Sequence, residues 1–248
     1  MKPIPAFIAA AALVSVGCKG GGGSGYQPAP APKVEPAKVD PGNEAVLLPA
    51  TVGNKWVFEI EGETAVSGNR MLTRATATYQ IAEVKDTPRG KEIKFKVTTK
   101  GVDNSVRTSE QLWLLDSKGI YQVTGGQNAL AYEPPQPLAL FPATQGDPVT
   151  FKGTGPVATG LRGSFSGKVQ CNGNEEVDTG KGRLGGIAFA SQGDWSGPDS
   201  AGKTATGKFG MVVWFAPNVG LVRVRQELSG PNAGAFQTLR LIDYEVKS

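Results

Sequence analysis

The stretch Met211–Leu228, "MVVWFAPNVGLVRVRQEL", decides the fold of this chain. An apolar run reaches Pro217 and Gly220, and an alternating run leaves them. In the second run Val222, Val224 and Leu228 fall on one side, and Arg223, Arg225 and Glu227 on the other. Strict alternation is the mark of a strand with one dry and one wet face. Pro217 has no N–H to give to a ladder, so it marks a strand end. Gly220 can adopt backbone conformations that strain other residues. "PNVG" therefore reads as a hairpin loop joining two strands, not as a binding loop.

The same period runs through the rest of the chain. "KWVFEIE" sets Trp56, Phe58 and Ile60 against Lys55, Glu59 and Glu61. "EIKFKV" sets Ile93, Phe95 and Val97 against Glu92, Lys94 and Lys96, and "MLTRATATYQIAEVK" sets Ala75, Ala77, Tyr79 and Ile81 against Thr76, Thr78 and Gln80. Further strands are expected at 108–115, 118–124, 147–152, 162–170, 173–178, 184–193, 205–216 and 236–247, with turn signals between them. The Pro-rich "NALAYEPPQPLALFPATQGD" reads as a crossing loop that packs Leu138, Leu140 and Phe141 onto the sheet edge or mouth. No stretch carries a capped amphipathic helix. The expected fold is all-β: a strongly curved antiparallel sheet, half-barrel or barrel-like, hiding one apolar face. The 34 Gly and 18 Pro suit its many turns.

The N-terminus is a different kind of segment. Lys2 precedes an apolar run from Ile4 to Val16, which ends in small residues and Cys18. At 1.5 Å per residue that run is too short to span a bilayer, and it reads as a secretory signal. "SVGC", Ser15 to Cys18, resembles the bacterial lipoprotein lipobox, with Ser15 where that motif has Leu. The resemblance implies lipidation of Cys18 and a membrane anchor of acyl chains, after removal of residues 1–17. Lys19 follows the Cys, which by analogy with enterobacterial sorting implies an outer-membrane address in a Gram-negative cell. Residues 18–45 then form the lipidated Cys and a flexible Gly/Pro-rich tether, and 46–248 a single β-domain.

Composition excludes several chemistries. The chain of 248 residues has no His, so Ser–His and Cys–His dyads and His-built zinc sites are absent. The net charge is +4, with bases interleaved among acids, so no nucleic-acid stripe forms. "GPDSAGKT", Gly197 to Thr204, fits the phosphate-loop string G-x-x-x-x-G-K-[ST]. That mechanism needs a helix after the string. Here strand-like sequence flanks it, so it reads as a hairpin tip and no nucleotide is expected. Cys171 reads as a semi-buried free thiol near a turn, without a His to activate it. Glu175, Glu176 and Asp178 read as a solvated strand end without calcium-loop spacing. Trp56, Trp113, Trp195 and Trp214 read as core or rim aromatics. No catalytic, cofactor or metal residue is assigned.

Three segments together are similar to a poorly characterised bacterial lipoprotein family, a domain of unknown function. "LLPATVGNKWVFEI" (47–60) resembles its P-x-x-x-G-x-x-W-x-(Y/F) opening, and "GNEEVDTGKGRLGGIAF" (173–189) its E-x-V-x-T-P-A-G-x-F segment. "VWFAPNVGLVRV" (213–224) resembles its W-(Y/F)-A-P-G-V-G-L-V-(K/R) hairpin. Gly180-Lys181, Leu184 and Asn218 depart from the family pattern. The resemblance implies architecture and cell-envelope location but no reaction. A weaker likeness, at fold level, is to lipoprotein and lipid carriers of the LolA/LolB type. The expectation is a non-enzymatic, membrane-anchored envelope lipoprotein that binds a hydrophobic ligand or envelope component on a concave face. The alternative is an interaction module with a filled core and a protein or glycan partner.

Overall fold

Every alternating run forms a strand. The computed structural model describes residues 34–66, 69–125, 130–199, 201–231 and 233–247. Its strands are β1 (Lys55–Val66), β2 (Asn69–Thr87), β3 (Gly90–Gly101), β4 (Val106–Asp116), β5 (Gly119–Gly125) and β6 (Leu130–Leu140). They continue as β7 (Val149–Pro156), β8 (Arg162–Thr179), β9 (Gly182–Pro198), β10 (Thr204–Ala216), β11 (Gly220–Gly230) and β12 (Ala233–Glu245). Each pairs antiparallel with its neighbours in sequence, and β12 pairs with β1, so the sheet is a closed barrel. Closure gives every strand a partner on both sides, though over unequal lengths.

Two expectations change. The Pro-rich segment is not a crossing loop. It is strand β6, hydrogen-bonded to β5, with Leu138 buried as expected and Leu140 and Phe141 half-buried. Proline forbids donation, so Pro134, Pro135 and Pro137 leave β6 a poor partner on its other side. There it makes a single ladder pair with β7, Glu133 with Thr154. The second change is β8. The runs at 162–170 and 173–178 are one long strand, and the "turn" between them is a β-bulge at Cys171/Gly173 with Gly173 at φ +91°. A bulge holds one extra residue and bends the strand without ending it.

The alternation sets the core. Trp56, Phe58, Ile93, Phe95, Ile120, Phe189, Phe215, Val222 and Leu241 point inward and are buried. Their rings interlock: Phe58 meets Tyr79 edge-on at 5.4 Å, Phe95 lies 4.9 Å from Trp113 and 6.1 Å from Trp56, and Phe189 lies 6.3 Å from Phe215. Burying each such side chain is worth ~1.5–3 kcal/mol. This packed end, the base, is where β1 begins. A 3₁₀ turn at Glu44–Leu47 closes it with Leu47 and Leu48, both buried. Ala37 also joins the core cluster, and the backbone of residues 35–37 lies against Gly185. Ala37 and Glu44, which precede residue 46, are thus buried against the barrel. Among the described residues the buried hydrophobic core lies between Ala37 and Leu241, all within the chain from residue 19.

Candidate functional site

The three motif segments meet at the base. The Trp56 indole N–H donates to the Val219 carbonyl, and its ring lies 3.1 Å from where a Cβ on Gly220 would stand. Gly220 is at φ +99° and Asn218 at φ +61°, and the Asn218 N–H donates to Val46 O at 2.8 Å. Buried Asn54 donates from Nδ2 to Pro49 O at 2.9 Å, and its Oδ1 accepts the Lys247 N–H at 2.8 Å. The Trp214 indole N–H donates to Glu175 Oε2 at 2.8 Å, with Arg223 over its ring at 5.4 Å. The motif residues therefore hold strands, hairpin and N-terminal segment together. "PNVG" is a structural hairpin, and Val222 and Val224 are buried as expected.

The other candidates separate. Glu175 is taken by Trp214, while Glu176 and Asp178 pair with Arg183 at 2.8 and 3.0 Å. Among the described residues no cluster of His, Cys, Asp or Glu is placed to hold a metal. The phosphate-loop string is the β9–β10 hairpin. The Asp199 carboxylate accepts the Ala201 and Lys203 N–H groups at 2.8 and 2.9 Å, and strand β10 follows where a helix would be needed. Amides already turned onto a carboxylate cannot cradle a phosphate. Cys171 is a buried free thiol, and burial pushes its pKa up, partly offset by a hydrogen bond from the Gly173 backbone. That favours the unreactive thiol over the thiolate. Burial raises the Tyr79 and Tyr132 hydroxyls above their ordinary range. Burial and then the Asp116 charge push Tyr121 up to about 12. All four tryptophans are buried, as core aromatics. Cys18 lies outside the described residues.

A broad concavity lies where no motif pointed. A broad groove of about 1340 Å³ crosses the outward face of β7 to β12 and the end of β1. One ladder row supplies Lys152, Ser166, Asp194 and Lys208 from four successive strands, and the next supplies Thr150, Lys168 and Gln192. All seven are exposed, and they alternate with inward Phe165, Val169, Trp195 and Met211. Lys208 pairs with Asp194 at 2.9 Å. A smaller recess of about 820 Å³, beside Pro134 and Trp195, shares Lys152, Ser166 and Asp194. The groove takes only a few residues from each strand, so no single segment announces it. The only sequence signal is the polar half of each alternating run.

No family model matches the chain, and no curated protein matches it. Two crystal structures are similar in fold. One is of a candidate lipoprotein from Parabacteroides distasonis, 19% identical, with 80% of this chain and 98% of that one aligned and a TM-score of 0.47. The other is of a candidate exported protein with a YmcC-like fold from Bacteroides fragilis, 13% identical, with the same coverage and a TM-score of 0.42.

Proposed function

We propose that the chain is a non-enzymatic lipoprotein of the cell envelope, anchored through Cys18. On the reading of Lys19, its address is the outer membrane of a Gram-negative cell. We further propose that its barrel is an interaction module that docks a polar envelope component, protein or glycan, in the outward groove. One observation carries the choice over a hydrophobic carrier. The base half of the interior is occupied by the chain's own side chains, while the large groove lies on the wet face. A lipid tail in the base would have to displace the interlocked Trp56, Phe95 and Trp113 rings.

A photo-crosslinking residue placed at Lys168 or Gln192 in the living cell tests the groove. A discrete adduct is expected there and not from exposed Asp86 on β2. Adducts equal at all three positions, or none at the groove, would reject the docking role. Acyl labelling in the cell tests the anchor: Cys18→Ser should abolish it, and label that persists would place lipidation elsewhere. Native mass spectrometry of the detergent-free barrel tests the rival, since lipid co-purifying at one per chain would restore the carrier reading.

A further inference from the structure

The rim, opposite the base, carries a different surface. Six of the eight exposed large hydrophobic side chains among the described residues lie at that end: Met71, Leu72, Val102, Val106, Leu161 and Phe236. Single exposed hydrophobics are ordinary, but a cluster at one end is not. Four of the six come from neighbouring segments of the rim: Met71 and Leu72 on opposite faces of β2, Val102 in the β3–β4 turn and Val106 opening β4. Leu72 and Val102 are each 79% exposed.

The ladder explains why these residues are bare. β2 pairs with β3 only as far as Ala75 with Gly101, whereas β1 and β2 stay paired out to Val66 with Asn69. The β1–β2 hairpin therefore stands beyond β3, and the β2 backbone before Ala75 has no ladder partner on the β3 side. Cations interleave with the aliphatics. Arg70, Arg74, Lys100 and Arg107 are all exposed, and in 69–76 and 98–107 the one acid is Asp103. Asp103 turns its carboxylate onto the Ser105 N–H and hydroxyl at 3.0 and 2.6 Å. Arg70 and Arg74 meet Glu63 and Glu61 on the neighbouring strand at 3.3 Å, in exposed pairs that water and salt screen.

We infer that this rim binds an anionic lipid surface. Aliphatic side chains flanked by guanidinium and ammonium groups match the boundary where acyl chains meet phosphates, and such binding grows with both apolar area and charge. The rim lies at the end opposite residues 35–37, which lead toward Cys18, so this contact is separate from the lipid anchor.

The test uses residues 19–248, which lack Cys18 and retain the whole core. Co-sedimentation is measured with mixed phosphatidylglycerol–phosphatidylcholine vesicles and with pure phosphatidylcholine, at low and high salt. Binding to the mixed vesicles is expected, weakened by salt and by removal of the anionic lipid. The pair Leu72→Ser and Val102→Ser should weaken it by about tenfold or more, and Arg74→Gln by about fivefold. Val52→Ser, an exposed hydrophobic at the base, should leave it unchanged. All these sites are exposed, so thermal melting should be unchanged and loss of binding is not loss of fold. No sedimentation with mixed vesicles at low salt would overturn the inference, as would binding indifferent to the rim variants. A dimer in solution that the Leu72 and Val102 variants abolish would also overturn it, because a second copy would then be the occupant.

Discussion

Gly220 and Gly182 form a matched pair that separates backbone strain from packing. Both end base hairpins at large positive φ, +99° and +108°. A methyl group on Gly182 meets nothing within 4 Å, whereas on Gly220 it would stand 3.1 Å from the Trp56 ring. An alanine at either site is strained by roughly 1–2 kcal/mol, because its Cβ crowds the backbone at positive φ. Gly220→Ala must also push against Trp56. That ring cannot retreat: it is 2% exposed, its N–H is held by Val219, and Phe95 backs it at 6.1 Å. Forcing a methyl group into such packing adds about 1–3 kcal/mol. Gly182→Ala should therefore destabilise the barrel by about 1–2 kcal/mol and Gly220→Ala by roughly 2–5 kcal/mol. Urea denaturation followed by tryptophan fluorescence reads both, and unchanged slopes would show that the unfolded states match. Equal losses for the two variants would refute the reasoning, because the hairpin would then not rest on Trp56.

Phe95→Ala, which removes the ring between Trp56, Tyr79 and Trp113, should lower stability by about 3–5 kcal/mol in the same assay. Tyr121 predicts the alkaline limit. Its folded pKa of about 12 lies above the ordinary 10, so its contribution is intact below 10 and is lost as pH rises through 12. Denaturation midpoints across that window should fall while phenolate absorbance rises, and a flat midpoint would contradict the shift. The β6–β7 seam predicts where the barrel loosens first. One ladder pair joins these strands, with Arg162–Glu133 at 2.6 Å and Tyr132–Phe165 at 5.7 Å beside it, so their amides should exchange hydrogen faster than those of β8 and β9. Cys171 should react with a thiol reagent only at the rate of opening, so native protein stays unlabelled while urea-unfolded protein labels at once.

Much of the wall was legible one strand at a time. In "KWVFEIE" and "LVRVRQEL" the inward residues follow from a period of two, because each side chain faces opposite to the last. The hairpin at Pro217–Gly220 followed from what proline and glycine can do locally. Strand β6 was not legible, because three prolines argue against a strand and the pairing with β5 that makes it one depends on tertiary register. Nor was the continuity of β8, since Gly173 signals a turn and a bulge alike. The candidate site was the least legible part. Lys152, Ser166, Asp194 and Lys208 are scattered over 57 positions and become neighbours only through register.

By itself, then, the sequence determined the all-β class, which residues face inward, the absence of His-dependent chemistry and the hairpin that joins β10 to β11. These depend on local periodicity, composition and backbone sterics, which a chain carries before it folds. The tertiary structure decided that the sheet closes through β1 and β12, that its base is filled, that residues 35–37 and Leu47–Leu48 pack there, and that a groove and a basic, aliphatic rim lie outside. Those depend on which strands become neighbours and in what register, a choice made by the whole barrel at once.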